Sequence, residues 1–194
     1  MEYGKLGATD IEVTKVGFGV LTIGPWQMNL PVDEGASVLR YALENGINFL
    51  DTAQYYKTYP YIRKALSGFQ GDVVIASKCL SDSYEDMKFA VEEARNELNR
   101  DIIDIFMLHE VRSKDDWLDR QGAWAYLMEA KAKGLVKAIG ISTHHVDVAL
   151  HSVSIPEIDV LFPLINFRSL GIRNGDGPGT KKDMAAAIRK AAEA

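Results

Sequence analysis

What this chain of 194 residues has little of already narrows its role. It holds one cysteine, Cys79, so no intramolecular disulfide and no cysteine-based metal cluster can form within it. No apolar run approaches the ~18 residues that a membrane helix needs. The opening MEYGKLGATD has no apolar segment of the kind found in a secretory leader. Positive charge is in deficit: 22 Lys and Arg face 27 Asp and Glu, for a net charge of −5. Nucleic acid and anionic membrane select clustered positive charge and are not expected as partners. The expected setting is soluble, reducing and cytoplasmic.

What is present is ordinary globular composition, 47% hydrophobic and 25% charged, in a length that suits one domain with a sizeable core. Two short alternating segments, residues 3–6 and 11–14, flank Gly7-Ala8-Thr9-Asp10 and predict a hairpin. Apolar runs then alternate with amphipathic stretches, the pattern of repeated βα units on a parallel sheet. Strands are predicted at residues 16–20, 48–51, 73–78, 103–109, 136–142 and 160–164. All but the second are near-continuous apolar runs, as expected of strands covered on both faces.

Between the strands, Asp33 is placed to cap a helix with Val38, Leu39, Ala42 and Leu43 on one face, stopping near Gly46. Asp82 with Glu85 resembles a capping box ahead of the stripe Met87, Val91, Ala94 and Leu98. Trp117, Trp124, Leu127 and Met128 form a stripe in the next helix, and the tryptophans read as core anchors rather than a ligand box. The last helix is expected at residues 181–194. The glycine-rich segment 171–180, GIRNGDGPGT, lacks Walker-type lysine spacing and reads as a mobile βα loop in preference to a phosphate-cradling nest. No linker interrupts the six βα pairs, which predicts a single domain over 1–194. Six units are compatible with an open sheet or an incomplete barrel, since a closed barrel needs eight and typically ~250 residues.

In both architectures ligands bind at the carboxyl ends of strands. Three successive predicted strands finish on an ionisable residue: Asp51, Lys78 and His109. A purely structural role would make the first two a rim ion pair and the third a hydrogen-bonded core histidine. Buried ion pairs stabilise poorly relative to apolar substitutes, which favours function. Tyr55 and Tyr56 follow Asp51 in the same loop. A tyrosine of pKa ~10 is a poor proton donor at neutral pH, and a neighbouring ammonium would lower that value. Asp, Lys and Tyr together make a tuned general acid, with His free to orient a bound oxygen. This suits carbonyl reduction, where the hydride must come from a cofactor.

The segment Asp51-Thr52-Ala53-Gln54-Tyr55-Tyr56 resembles the D-T-A-x-x-Y motif of the aldo-keto reductases. Ala76-Ser77-Lys78, the run Ile103 to His109 (D-x-x-x-x-H) and Gly134 to Ser142 resemble that family's next strands in order. The resemblance implies a (β/α)8 TIM barrel of the α/β class, truncated after the sixth βα unit, with an N-terminal β-hairpin. It implies NADPH-dependent, or less often NADH-dependent, reduction of an aldehyde or ketone without a metal. Tyr56 would be the general acid, Lys78 would lower its pKa, Asp51 would anchor Lys78 and His109 would orient the carbonyl. Gly19, Ser142, Thr143 and Asn166 would serve the cofactor, and Trp26 would wall the substrate pocket. Tyr55 reads as packing.

Three departures stand out. Ser142-Thr143 replaces the usual S-N, Phe162 or Pro163 stands where a glutamine is usual, and the strands that would grip the adenine-side phosphates are not in the sequence. The wording around His109-Glu110-Val111 and Ser142-Thr143-His144 resembles a subgroup whose longer members carry a ferredoxin-like extension. That extension is absent here, and Cys79 alone ligates no cluster. An open six-stranded sheet is expected to expose two long apolar edges, to be covered by a second copy, a partner chain or the rest of a longer protein. Beside the reductase stand two other functions: a cofactor-binding regulatory subunit or inactive fragment, and a Schiff-base lyase using Lys78.

Overall fold

Alternation along the strands sorts their side chains into two apolar layers, and this sorting positions everything at the rim. The computed structural model describes residues 1–193, so the expected end of the last helix at Ala194 lies outside the described residues. A hairpin comes first, β1 (Tyr3–Lys5) and β2 (Glu12–Thr14), paired antiparallel. Six parallel strands follow in strict chain order: β3 (Phe18–Gly19), β4 (Phe49–Asp51), β5 (Val74–Cys79), β6 (Ile103–Leu108), β7 (Val136–Thr143) and β8 (Val160–Pro163). Together they curl through 218°, an open half-barrel of the TIM type. Helices α1 (Val32–Glu44), α2 (Tyr59–Leu66), α3 (Tyr84–Leu98), α4 (Lys114–Asp119), α5 (Gln121–Ala132), α6 (Val146–Ser152) and α7 (Lys181–Glu193) connect the strands or follow the last of them.

The outer layer packs Ile75, Phe106, Leu108, Ile139 and Ile141 against helix residues that include Leu39, Met87, Val91, Ala94, Leu98 and both Trp117 and Trp124. The tryptophans meet edge to face, 5.1 Å between centroids, so they are core anchors. The inner layer holds Val74, Ala76, Ile105, Met107, Ala138 and Val160. Ile11 and Val13 of the hairpin, with Leu6, close this layer from below. Asn48 stitches the floor in place, accepting from Thr14 N at 2.7 Å and donating to Glu12 O at 3.0 Å.

Several expectations need correction. Asp33 does not cap α1: the cap is Pro31 without a side-chain bond, and Asp33 lies in the first turn, paired with Lys64. The capping residue of α3 is Ser83, which accepts from Asp86 N at 3.1 Å, one position beyond the expected Asp82–Glu85 pair. One expected helix is two, broken between α4 and α5 at Arg120. Val38 and Met128 are exposed, off their predicted faces. The first strand shrinks to two residues: Val16 and Gly17 lie outside it, and Val20–Ile23 winds into a 3-10 turn. The open edges are therefore short, two residues at β3 and four at β8, and short edges are a recognised protection against unwanted pairing. The glycine-rich segment forms a small hairpin, β9 (Arg173–Asn174) with β10 (Gly177–Pro178), and Gly175 N donates to Asp147.

Gly140 governs the joint between β7 and β8. A Cβ there would lie 1.9 Å from the Val160 carbonyl oxygen and 2.8 Å from its carbon, and backbone cannot rotate away as a side chain can. Gly140→Ala is expected to cost at least about 2 kcal/mol, at the high end of overpacking, by prising β8 from the sheet. Urea denaturation measures this, and a midpoint equal to that of the parent chain would refute it.

Candidate active site

The alternation that builds the inner layer carries four polar groups and Phe162 to its upper end. Asp51 follows Phe49, Lys78 follows Ala76, His109 follows Met107, Ser142 follows Gly140 and Phe162 follows Val160, each two positions on along its strand. Tyr56, Lys78, His109, Ser142, Thr143, His144, Phe162, Pro163, Leu164 and Ile165 line a cleft of about 330 Å³ at this rim. Three of the four expected catalytic residues thus line one cleft, and Asp51 joins them through Lys78.

Lys78 is 1% exposed. Its Nζ donates to Asp51 Oδ1 at 2.7 Å and to Thr52 O at 2.6 Å. Two ring faces flank the ammonium, Tyr56 at 5.0 Å and Phe162 at 5.3 Å to the centroids. Burial pushes Asp51 up and Lys78 down, each opposed by the charge of the other. Phe162, one of the two residues read at the position of the usual glutamine, is therefore a neighbour of the lysine charge.

Tyr56 Oη lies 3.3 Å from His109 Nε2, with the rings edge to face. The expected lowering of the Tyr56 pKa by Lys78 is not what this geometry produces. Burial, then the charges of Asp51 and Glu110, push it up to about 12, while the ammonium meets the ring face and spends its hydrogen bonds elsewhere. His109 is driven the other way, to about 4, by burial and then by the charge of Lys78. Its Nδ1 is buried without a partner. The rim thus holds a protonated phenol beside a neutral imidazole at neutral pH.

The loops leaving both residues are strained. Lys57 follows Tyr56 at φ +56° and Glu110 follows His109 at φ +55°, left-handed positions that disfavour any side chain bearing a Cβ. Such strain is concentrated at working sites and must be held by surrounding bonds. Glu110 N donates to Ser142 Oγ at 2.8 Å and Val111 N to Ser142 O at 2.8 Å. Gln54 and Cys79 join the two neighbouring loops, the thiol donating to Gln54 Oε1 at 2.9 Å.

The expected cofactor residues divide. Ser142 accepts from Glu110 N and keeps its own hydrogen for an outside acceptor, so it fits a nicotinamide carboxamide. Thr143 is spent, donating to Val111 O at 2.6 Å and accepting from His145 N at 2.9 Å. Asn166 is also spent on its own loop, bonded to both the N–H and the C=O of Leu170, and does not line the cleft. Gly19 ends β3 in register with Asp51 and faces open space. Trp26 stacks on Tyr55 at 5.4 Å and donates to its carbonyl, outside the cleft lining. Tyr55 and Trp26 are both exposed and stack on each other at the surface. Among the described residues no group of three or more His, Cys, Asp or Glu could hold a metal ion. No described helix is long and apolar enough to cross a membrane.

The aldo/keto reductase family model matches residues 15–162, and the chain belongs to that family. An oxidoreductase of Bacillus subtilis is 27% identical over 159 residues, 74% of this chain and 49% of that protein. A methylglyoxal reductase of Yersinia pestis is 30% identical over 129 residues, 65% of this chain and 45% of that protein. A Pseudomonas aeruginosa structure assigned to the aldo-keto reductases superposes with a TM-score of 0.81 over 98% of this chain and 74% of its own, at 24% identity. That likeness shows the fold. The chain spans about half the length of the curated relatives it matches.

Two consequences can be measured. His109 stays neutral in the fold down to about pH 4, whereas in the unfolded chain it takes its proton near ~6.5. The unfolded state binds more protons between these values, so stability falls as pH drops through that window, by up to about 1.4 kcal/mol per unit. His109→Gln is expected to flatten this slope, read from thermal melts across the window; an unchanged slope would contradict the assignment. Lys57→Gly is expected to stabilise the chain by up to about 1 kcal/mol by relieving the left-handed position, and a lowered midpoint in urea would count against it.

Proposed function

We propose that this chain supplies the proton-transfer side of a reductase that acts on a small aldehyde or ketone with NADPH, or NADH, as partner. The observation that carries this reading is the Tyr56 hydroxyl 3.3 Å from His109 Nε2, above the buried Lys78–Asp51 pair. Family membership supports nicotinamide-linked oxidoreductase chemistry in general.

A reduced nicotinamide, when bound, supplies the hydride that forms the new C–H bond. As that bond forms, the carbonyl π pair moves to oxygen and takes the proton of Tyr56 Oη, which later regains one from water. With a pKa of about 12, Tyr56 is fully protonated at neutral pH and gives up its proton only as alkoxide charge develops. Neutral His109, carrying its proton on Nε2, can donate to the same oxygen and hold it beside Tyr56. Lys78 then faces the phenolate that Tyr56 becomes. Ser142 would hold the carboxamide, and Phe162, Pro163, Leu164 and Ile165 form the apolar side of the cleft.

We further read residues 1–194 as one partial-barrel domain working in the cytoplasm, its open edges covered by a second copy, a partner or further chain. A second reading, an inactive member of the family that neither grips the cofactor nor turns over, draws support from Thr143 and Asn166, whose hydrogen bonds are made within the chain.

Methylglyoxal, the substrate in the name of the Yersinia pestis relative, is the first probe. The purified chain is expected to consume NADPH with it. Tyr56→Phe is expected to lower the rate at least about 100-fold, the usual worth of a general acid, with circular dichroism unchanged. Activity surviving that substitution would remove Tyr56 from the role. No NADPH binding in a titration, and no turnover on any aldehyde, would select the second reading.

A further inference from the structure

Arg120 sits at the break between α4 and α5 with its side chain 5% exposed, and its guanidinium is committed to main-chain carbonyls. Nε donates to Ser81 O at 3.0 Å, Nη1 to His109 O at 2.9 Å and Nη2 to Cys79 O at 3.1 Å. Its carboxylate neighbour is Asp116, 3.8 Å from Nη1 and partly exposed. The charge therefore faces three carbonyls at the carboxyl ends of two adjacent strands. Those strands carry Lys78 and lead into His109.

We propose that Arg120 is a positioning residue for the reaction, a fork that sets the His109 imidazole relative to Lys78 and Tyr56. The inference rests on the reading of those three residues as the reacting set. Three details argue for a role beyond packing. First, the main chain of His109 is held on both sides: its N–H donates to Cys79 O at 2.8 Å and its C=O accepts from Arg120. Cys79 O thus takes donors from both His109 and Arg120, which locks one loop to the other. Second, the next residue, Glu110, is left-handed at φ +55°, and a turn of that kind keeps its direction only while both flanks are fixed. Ser142 fixes the far flank through Glu110 N and Arg120 fixes the near one. Third, among the described residues no side chain but Tyr56 bonds the ring of His109, and Nδ1 has no partner there. The ring's orientation is therefore set through its backbone, which Arg120 holds. A planar five-donor guanidinium suits three carbonyls, whereas a lysine ammonium is a point charge that matches a fixed fork poorly.

The charge of Arg120 also acts on His109 directly. The groups facing this imidazole are Lys78, Arg120 and His144, which disfavour its protonation, and Glu110, which favours it, with the Tyr56 hydroxyl at its edge. Removing the guanidinium takes away one of the opposing charges, so protonation of His109 becomes easier.

The test compares the full chain with Arg120→Met and Arg120→Lys, following the His109 ring by NMR titration and turnover by NADPH oxidation. In Arg120→Met the His109 pKa is expected to rise and kcat to fall about ten- to a hundredfold, the scale of a misplaced reacting group, with KM for NADPH within about twofold. Arg120→Lys keeps the charge and loses the fork, so His109 is expected to titrate near its parent value while kcat still falls. A merely structural arginine would lower the melting temperature of both variants and leave the titration and kcat of the folded protein unmoved; that result overturns the proposal. So does an Arg120→Lys variant with full kcat, or, should Arg120→Met fail to fold, a ring whose shifts in Arg120→Lys match the parent throughout. If the parent chain shows no turnover, the reductase reading of the isolated chain fails on its own. The NMR arm then decides the proposal: it stands if the Tyr56 and His109 ring resonances shift in Arg120→Lys and falls if they do not.

Discussion

An ammonium carried into the interior must find its charge answered on every side, and Lys78 meets that demand at the top of the sheet. Asp51 and the Thr52 carbonyl take its hydrogens, while the faces of Tyr56 and Phe162 flank it. Desolvating two such charges costs several kcal/mol per ion, and apolar residues of similar volume would hold the strands together at least as well. What the pair adds is a fixed charge and a fixed direction of exit for the chain after β4. That exit passes through a 3-10 turn over Gln54–Tyr56, which delivers the Tyr56 ring beside the ammonium and its hydroxyl beside His109. The proton chemistry proposed for the rim is a consequence of one ion pair that the core would not select for its own stability.

The repeating architecture could be read from residue order because each cue was local. Strand runs such as Ile105 to Leu108 are apolar on both faces, and the buried stripe of α3 recurs at helical spacing. The candidate site was legible for the same reason: Asp51, Lys78 and His109 lie at the ends of such runs, and period-two alternation carries them to the face shared with the inner apolar layer. The residues alone left Tyr55 and Tyr56 as equals in the loop after Asp51, and the family resemblance chose Tyr56.

What could not be read depended on partners distant in the chain. Thr143 and Asn166 have the chemistry of cofactor ligands, but their groups go to Val111, His145 and Leu170, a matter of loop conformation. The Tyr56 pKa was expected to fall because an ammonium was near; distance alone does not say whether it meets the hydroxyl or the ring. Arg120 left no signal, since an arginine beside an aspartate in a polar stretch reads as surface. Its burial arises where two helices meet under two loops. Asp33 failed as a cap for a smaller reason: Pro31 already sets the entry into α1, and the helix begins two residues early.

In the main sheet, position in space follows position in the chain without exception. Each strand pairs with the one made just before it, and the hairpin that closes the inner layer from below precedes them all. A ribosome delivering this chain therefore supplies the floor first and then the wall unit by unit, so that each new βα unit emerges after the neighbour it pairs with. At every stage only the newest strand is an open edge on the growing side, and the opposite side stays the two-residue stub of β3. Assembly thus has a direction built into its connectivity, and β8 is its leading face.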